Sequence, residues 1–103
     1  MRTTQGYVRI MTIGILKAQF SLPEANSLKD KRRNIKSLKD RTVARMNMSV
    51  AETGKQDFWK GAELTFVTVA GERKFVEKRF SELSNILHMY PGMVLMNLET
   101  TYL

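Results

Sequence analysis

The side chains most able to do chemistry in this sequence are cations. Lys29, Lys31, Arg32, Arg33, Lys36 and Lys39 crowd into SLKDKRRNIKSLKDR, residues 27–41, whose only carboxylates are Asp30 and Asp40. Lysine and arginine at this density suit phosphate or another acidic surface, since each brings a full charge and several N–H donors. A second group, Gln56, Asp57, Trp59 and Lys60, sets an aromatic ring beside a cation. That combination can stack on a base while holding its backbone, a secondary contact to the first group. The structural reading of Trp59 competes with it: a tryptophan in a hairpin loop packs over the end of a sheet while Asp57 satisfies turn N–H groups.

Catalysis has little to work with. The sole histidine, His88, falls on the polar side of a helical pattern with no second ligand near it in sequence. Ser49 and Glu52 fall on opposite faces of one extended segment, so no base serves a serine nucleophile there. The absence of cysteine removes thiol nucleophiles, zinc knuckles and iron–sulfur sites, and fits a reducing, cytoplasmic compartment. Gly14, Gly54, Gly61 and Gly71 are isolated, so no glycine-rich phosphate loop exists. A noncatalytic protein without metal or cofactor is expected.

The net charge of +7 is concentrated in one place. Ser27 to Met46 carries eight positive and two negative charges, Glu72 to Tyr90 four and three, and the remaining residues five of each. Localised excess is an electrostatic footprint for an acidic partner, whereas dispersed charge mainly serves solubility. No apolar run approaches the roughly 20 residues of a membrane-spanning helix, because Arg9 interrupts the longest early stretch. Neither export nor a membrane partner is expected.

Six elements must position these groups. Val8 to Phe20, rich in β-branched residues, reads as a strand ended by Pro23 and Asn26. Ser27, with Asp30 three residues on, reads as a capping box with Asp in place of Glu. The helix that follows carries Leu28, Ile35, Leu38, Thr42 and Met46 on one narrow arc. Asn47 to Thr53 is a second strand, 54–60 a polar loop, and Glu63 to Ala70 a third strand. Val76, Phe80, Leu83, Ile86, Leu87 and Tyr90 make the stripe of a second helix, stopped by Pro91 and Gly92, before a last strand from Val94 to Leu103. The order βαββαβ, with right-handed crossovers, predicts a ferredoxin-like α+β fold: one antiparallel sheet in the order 4-1-3-2, with both helices on one face.

The repeated Ser-Leu-Lys-Asp has no meaning as a repeat. Its copies lie ten residues apart, about 80° out of phase on a helix; the first is a cap, and the second is mid-helix with Leu38 inward and Ser37 toward water. The cations differ. Lys29, Arg32, Arg33 and Lys36 share an arc of about 100°, with Lys39 at its margin. Lys29, Lys31 and Arg32 also oppose the helix dipole, each by about 0.3–1 kcal/mol before screening. An anion at the helix start would relieve that conflict, and an RNA backbone is the anion proposed; the alternative is a solvated face neutralised by Asp30, Asp40 and Glu24.

Thr12-Ile13-Gly14-Ile15-Leu16, Ser27-Leu28-Lys29-Asp30-Lys31-Arg32-Arg33, Asn47-Met48-Ser49-Val50-Ala51-Glu52 and Gln56-Asp57-Phe58-Trp59-Lys60 together resemble the YlxP-like family, small bacterial proteins of unknown function. The resemblance covers residues 11–103, one domain. It implies a ferredoxin-like fold and a gene context near ribosome maturation and translation initiation, and it carries over no catalytic residues. Family members usually begin at a methionine matching Met11, which makes residues 1–10 an extension. An RNA- or ribosome-associated accessory protein is the leading reading. Its rival is an ACT-like regulatory module that binds a small ligand between the loop after strand one and a partner subunit. RNA recognition on the sheet itself would need paired aromatics on the open face, and these are absent: the third strand has a single aromatic, Phe66, and no flanking basic-glycine pattern. Apolar residues on both faces of strand one, and an edge strand Val94 to Glu99 with one charge and no proline, predict a homo-oligomer through sheet face or edge.

Overall fold

The computed structural model describes residues 10–103. The elements are β1 (Thr12–Ser21), α1 (Leu28–Met46), β2 (Ser49–Gly54), β3 (Gly61–Ala70), α2 (Arg73–His88) and β4 (Val94–Tyr102). All strand pairs are antiparallel, in the order β2-β3-β1-β4. This is the expected βαββαβ arrangement, with β1 and β3 central. The expected first two residues of strand one, Val8 and Arg9, and residues 1–9 of the extension lie outside the described residues.

Alternation along β1 sorts its side chains. Leu16, Ala18 and Phe20 are buried beneath the helices, while Ile13 and Ile15 are only partly covered on the other face. Val76, Phe80, Leu83 and Leu87 of α2 meet that inner face. Each fully buried Leu or Phe there contributes about 1.5–3 kcal/mol relative to exposure. Gly14 permits the close approach of α2: a Cβ at this position would stand 2.6 Å from Phe80 Cε2.

The start of α1 is capped nearly as read. Ser27 Oγ accepts from Asp30 N at 3.1 Å, and Asp30 Oδ2 accepts from Asn26 N at 2.9 Å, one residue further back than in a capping box. Asn47, in the left-handed region at φ 53°, ends the helix and lets the chain turn into β2. Ser37, expected to face water alone, shares a short hydrogen bond with the Tyr90 hydroxyl and so links α1 to the end of α2. Arg79 ties α2 to β3, donating to Thr68 Oγ1 at 2.7 Å and to Val69 O at 2.8 Å.

Both edges carry an irregularity: a register shift opposite Gln19/Phe20 in β4, and another at Glu52/Gly54 in β2. The face away from the helices has an apolar end, where Ile13 pairs with Val69 and Ile15 with Val67, and a polar end, where Lys17 pairs with Glu99 and Gln19 with Glu63. Among the described residues, no helix is long and apolar enough to cross a membrane.

Candidate functional site

Five of the six cations of the α1 segment project outward. Lys29, Arg32, Arg33 and Lys36 are exposed and Lys39 is half-buried. Arg33 lies 3.6 Å from Asp30, and Lys36 Nζ donates to Asp40 at 3.0 Å, both exposed pairs worth little in water. Lys29, Arg32 and Lys39 have no ion-pair partner among the described residues. A cleft of about 270 Å³ runs between α1 and β2, lined by Arg32, Ile35, Lys36, Lys39, Asp40 and Glu52. A larger groove, about 550 Å³, lies at the other end of α1 near Asn47, and among the described residues no ionisable side chain lines it.

Lys31 is the correction. It was expected on the anion-binding flank, but it is 1% exposed and belongs to the buried stripe with Ile35, Leu38, Thr42 and Met46. Its Nζ donates to Lys55 O at 2.5 Å and to Phe58 O at 2.9 Å, and it sits 2.6 Å from Glu52 Oε2. The contact with Glu52 is an ion pair, and among the described residues Glu52 Oε2 accepts no aligned hydrogen bond. A buried charge persists only when paired and hydrogen-bonded, and both conditions hold here. The conflict between Lys31 and the helix dipole is therefore resolved inside the protein. The amide of Asp30 is likewise taken by Ser27 Oγ, and that of Lys31 by Ser27 O.

Lys31 also joins the two groups that sequence spacing left apart. The carbonyls it holds belong to the loop of Gln56, Asp57, Trp59 and Lys60. Gln56 Nε2 donates to Glu52 O at 3.0 Å, Phe58 N to Lys55 O at 3.1 Å, and Lys60 Nζ to Pro23 O at 2.8 Å. The loop is thus pinned to α1, to β2 and to the β1–α1 connection. Trp59 is 44% exposed, partly covered and partly open, and its neighbour Phe58 is 54% exposed. From sequence, Glu52 is weighed only as a partner of Ser49 and Phe58 only as part of the loop motif, neither as a contact of Lys31. For Glu52 the signal was its parity, which puts it on the helix side of β2 opposite Leu64.

The groups considered for catalysis stay dispersed. Ser49 pairs with Val67 on the open face while Glu52 points the other way. His88 is exposed, with Nδ1 2.8 Å from Ser84 O. Among the described residues, no three His, Cys, Asp or Glu side chains cluster as a metal would need.

A family model described as a protein of unknown function, DUF503, matches residues 13–100. The chain belongs to the DUF503 family. Within reach of it is the uncharacterized protein YlxP of Bacillus subtilis, 28% identical over 79 residues that cover 77% of this chain and 86% of that protein. The YlxP-like resemblance of the sequence motifs is thereby established. Among solved structures, Rv0793 from Mycobacterium tuberculosis is similar at a TM-score of 0.55 and 13% identity, covering 89% of this chain and 92% of that one. A dimeric ferredoxin-like protein from an uncultured marine organism is similar at 0.50 and 9% identity, covering 90% and 94%. At these identities the likeness is one of fold. DUF503 membership itself assigns no reaction, partner or site.

Proposed function

We propose that this protein is a noncatalytic accessory module that binds RNA, free or within a ribosomal assembly, on the outer face of α1. The observation that carries the reading is the separation of roles among the cations. One, Lys31, is consumed internally, while Lys29, Arg32, Arg33, Lys36 and Lys39 line the outside with only Asp30 and Asp40 among them. Five positive and two negative charges on one helix flank raise the local concentration of a polyanion and orient it. If about five phosphates of a single strand are neutralised, the slope of log affinity against log salt is near −3.5. Titration of a labelled RNA across a salt series reads this directly. A flat response, or unchanged binding by the Arg32→Gln, Arg33→Gln, Lys36→Gln triple variant, rejects the proposal.

Self-association belongs to the same reading. Val67 and Val69 are exposed beside Ile13 and Ile15 at the apolar end of the open face, and a second copy with its own apolar end there would remove both patches from water. The metabolite-binding alternative would place a ligand at the β1–α1 loop. There Leu22 N already donates to Lys60 O at 2.9 Å and Ala25 N to Leu22 O at 3.2 Å. A thermal-shift screen of nucleotides and amino acids separates the two, since a small ligand would stabilise the protein without RNA.

A further inference from the structure

We infer that the RNA taken by this surface is unpaired, with a base stacked on the aromatic pair Phe58–Trp59 while the α1 cations hold the adjoining phosphates. This rests on the RNA reading above and adds the class of RNA. Three observations point to it.

The first is that the loop is tied to its surroundings by hydrogen bonds without being buried. Its hydrogen bonds run to α1 through Lys31, to β2 through Gln56 and to the β1–α1 connection through Lys60. A loop that served only to connect β2 to β3 would not need a buried ammonium to fix it. Lys55 is also held at φ 58°, a left-handed conformation uncommon for a non-glycine residue, and its carbonyl is the one that Lys31 and Phe58 N both contact. Strain of this kind persists where the surroundings over-determine it, and it collects at functional positions.

The second is what the loop displays. Phe58 rests on Gly61, where a Cβ would stand 3.2 Å from the ring, so backbone supports the ring while more than half of the residue stays open. Trp59 follows directly and is nearly as exposed. Phe58 and Trp59 are consecutive residues, each with about half of its surface open, so either ring can offer a stacking face, and a base offers a flat face to it only when it is not enclosed in a duplex.

The third is the adjacency of charge. Glu52, whose carbonyl anchors Gln56, also lines the cleft that Arg32, Lys36 and Lys39 border. Exposed Lys55 lies in the loop itself, and Arg32 follows Lys31 on α1. Three cations of α1 thus border the cleft beside the strand that leads into the loop, with Asp40 and Glu52 also lining it, and a strand whose bases stack needs cations of this kind for its backbone.

The test uses the full chain and three labelled probes: a short unstructured RNA, the same RNA annealed to its complement, and single-stranded DNA of the same sequence. The single strand is expected to bind about tenfold or more tightly than the duplex, with quenching of the emission of Trp59, the only tryptophan. Trp59→Leu is expected to weaken single-strand binding about 5- to 150-fold and to leave the duplex within about twofold. Phe58→Leu, checked for an unchanged urea midpoint, is expected to act in the same direction. Equal or tighter duplex binding overturns the inference. So does a folded Trp59→Leu protein with unchanged single-strand affinity alongside an unquenched wild type, while loss of binding in the α1 triple variant would then still support the RNA reading. Failure of all three probes to bind overturns both.

Discussion

Replacing Lys31 by methionine isolates the contact on which the site geometry depends. Methionine keeps most of the apolar stem and removes the charge, so packing against Ile35 changes little while Glu52 loses its counterion. Removing one partner of a buried ion pair costs about 3–5 kcal/mol. Here the Glu52 side chain retains 22% exposure, so water recovers part of its solvation, and Lys55 O keeps Phe58 N as a donor. The carbonyl of Phe58 loses the donor it had at 2.9 Å. The expected loss is about 2–4 kcal/mol in urea unfolding, or a fall in Tm of about 10–25 °C for a domain of this size. The paired variant Glu52→Gln should show a coupling above about 1 kcal/mol in the double-mutant cycle. Freed of its tether, the loop should also expose Trp59 to acrylamide more fully than in the wild type. A loss under about 0.5 kcal/mol with unchanged quenching would refute the assignment of Lys31 as the anchor.

Other substitutions probe neighbouring features. Lys29→Ala and Arg32→Ala should leave the urea midpoint within about 0.5 kcal/mol, since both side chains are exposed, while weakening RNA binding. Gly14→Ala should cost at least about 2 kcal/mol, because the added methyl meets Val76 and Phe80 and α2 must shift; near-neutral unfolding would contradict the close approach. Tyr90→Phe should cost about 1 kcal/mol through the lost link to Ser37, read in the same denaturation assay. Val67→Lys, on the open apolar end, should lower the sedimentation coefficient of any associated species without unfolding the protein; a wild type that is monomeric at high concentration would remove the basis for self-association.

Sequence by itself determined the architecture of this protein. Alternation in β1, the stripes at 35, 38, 42 and 46 and at 76, 80, 83 and 87, and the stop at Pro91 and Gly92 are each set by local periodicity and turn chemistry, which a single chain displays in order. Element ends moved by a residue or two: β2 runs Ser49–Gly54 where Asn47–Thr53 was expected, and β3 opens at Gly61. Sequence also located the cationic flank, since exposed charge on a helix follows from phase. It held a further clue in the same phase: Lys31 occupies the place between Leu28 and Ile35 where the buried stripe requires a residue. Charge alone argued the other way, because a lysine goes inside only if an acceptor set awaits it. That set, Glu52 and the carbonyls of Lys55 and Phe58, lies more than twenty residues downstream and is assembled only when β2 and its loop close onto α1. Tertiary structure therefore decided which cation is structural and which are available, and it brought the Trp59 loop to their side, because only the packed fold specifies a partner so distant along the chain.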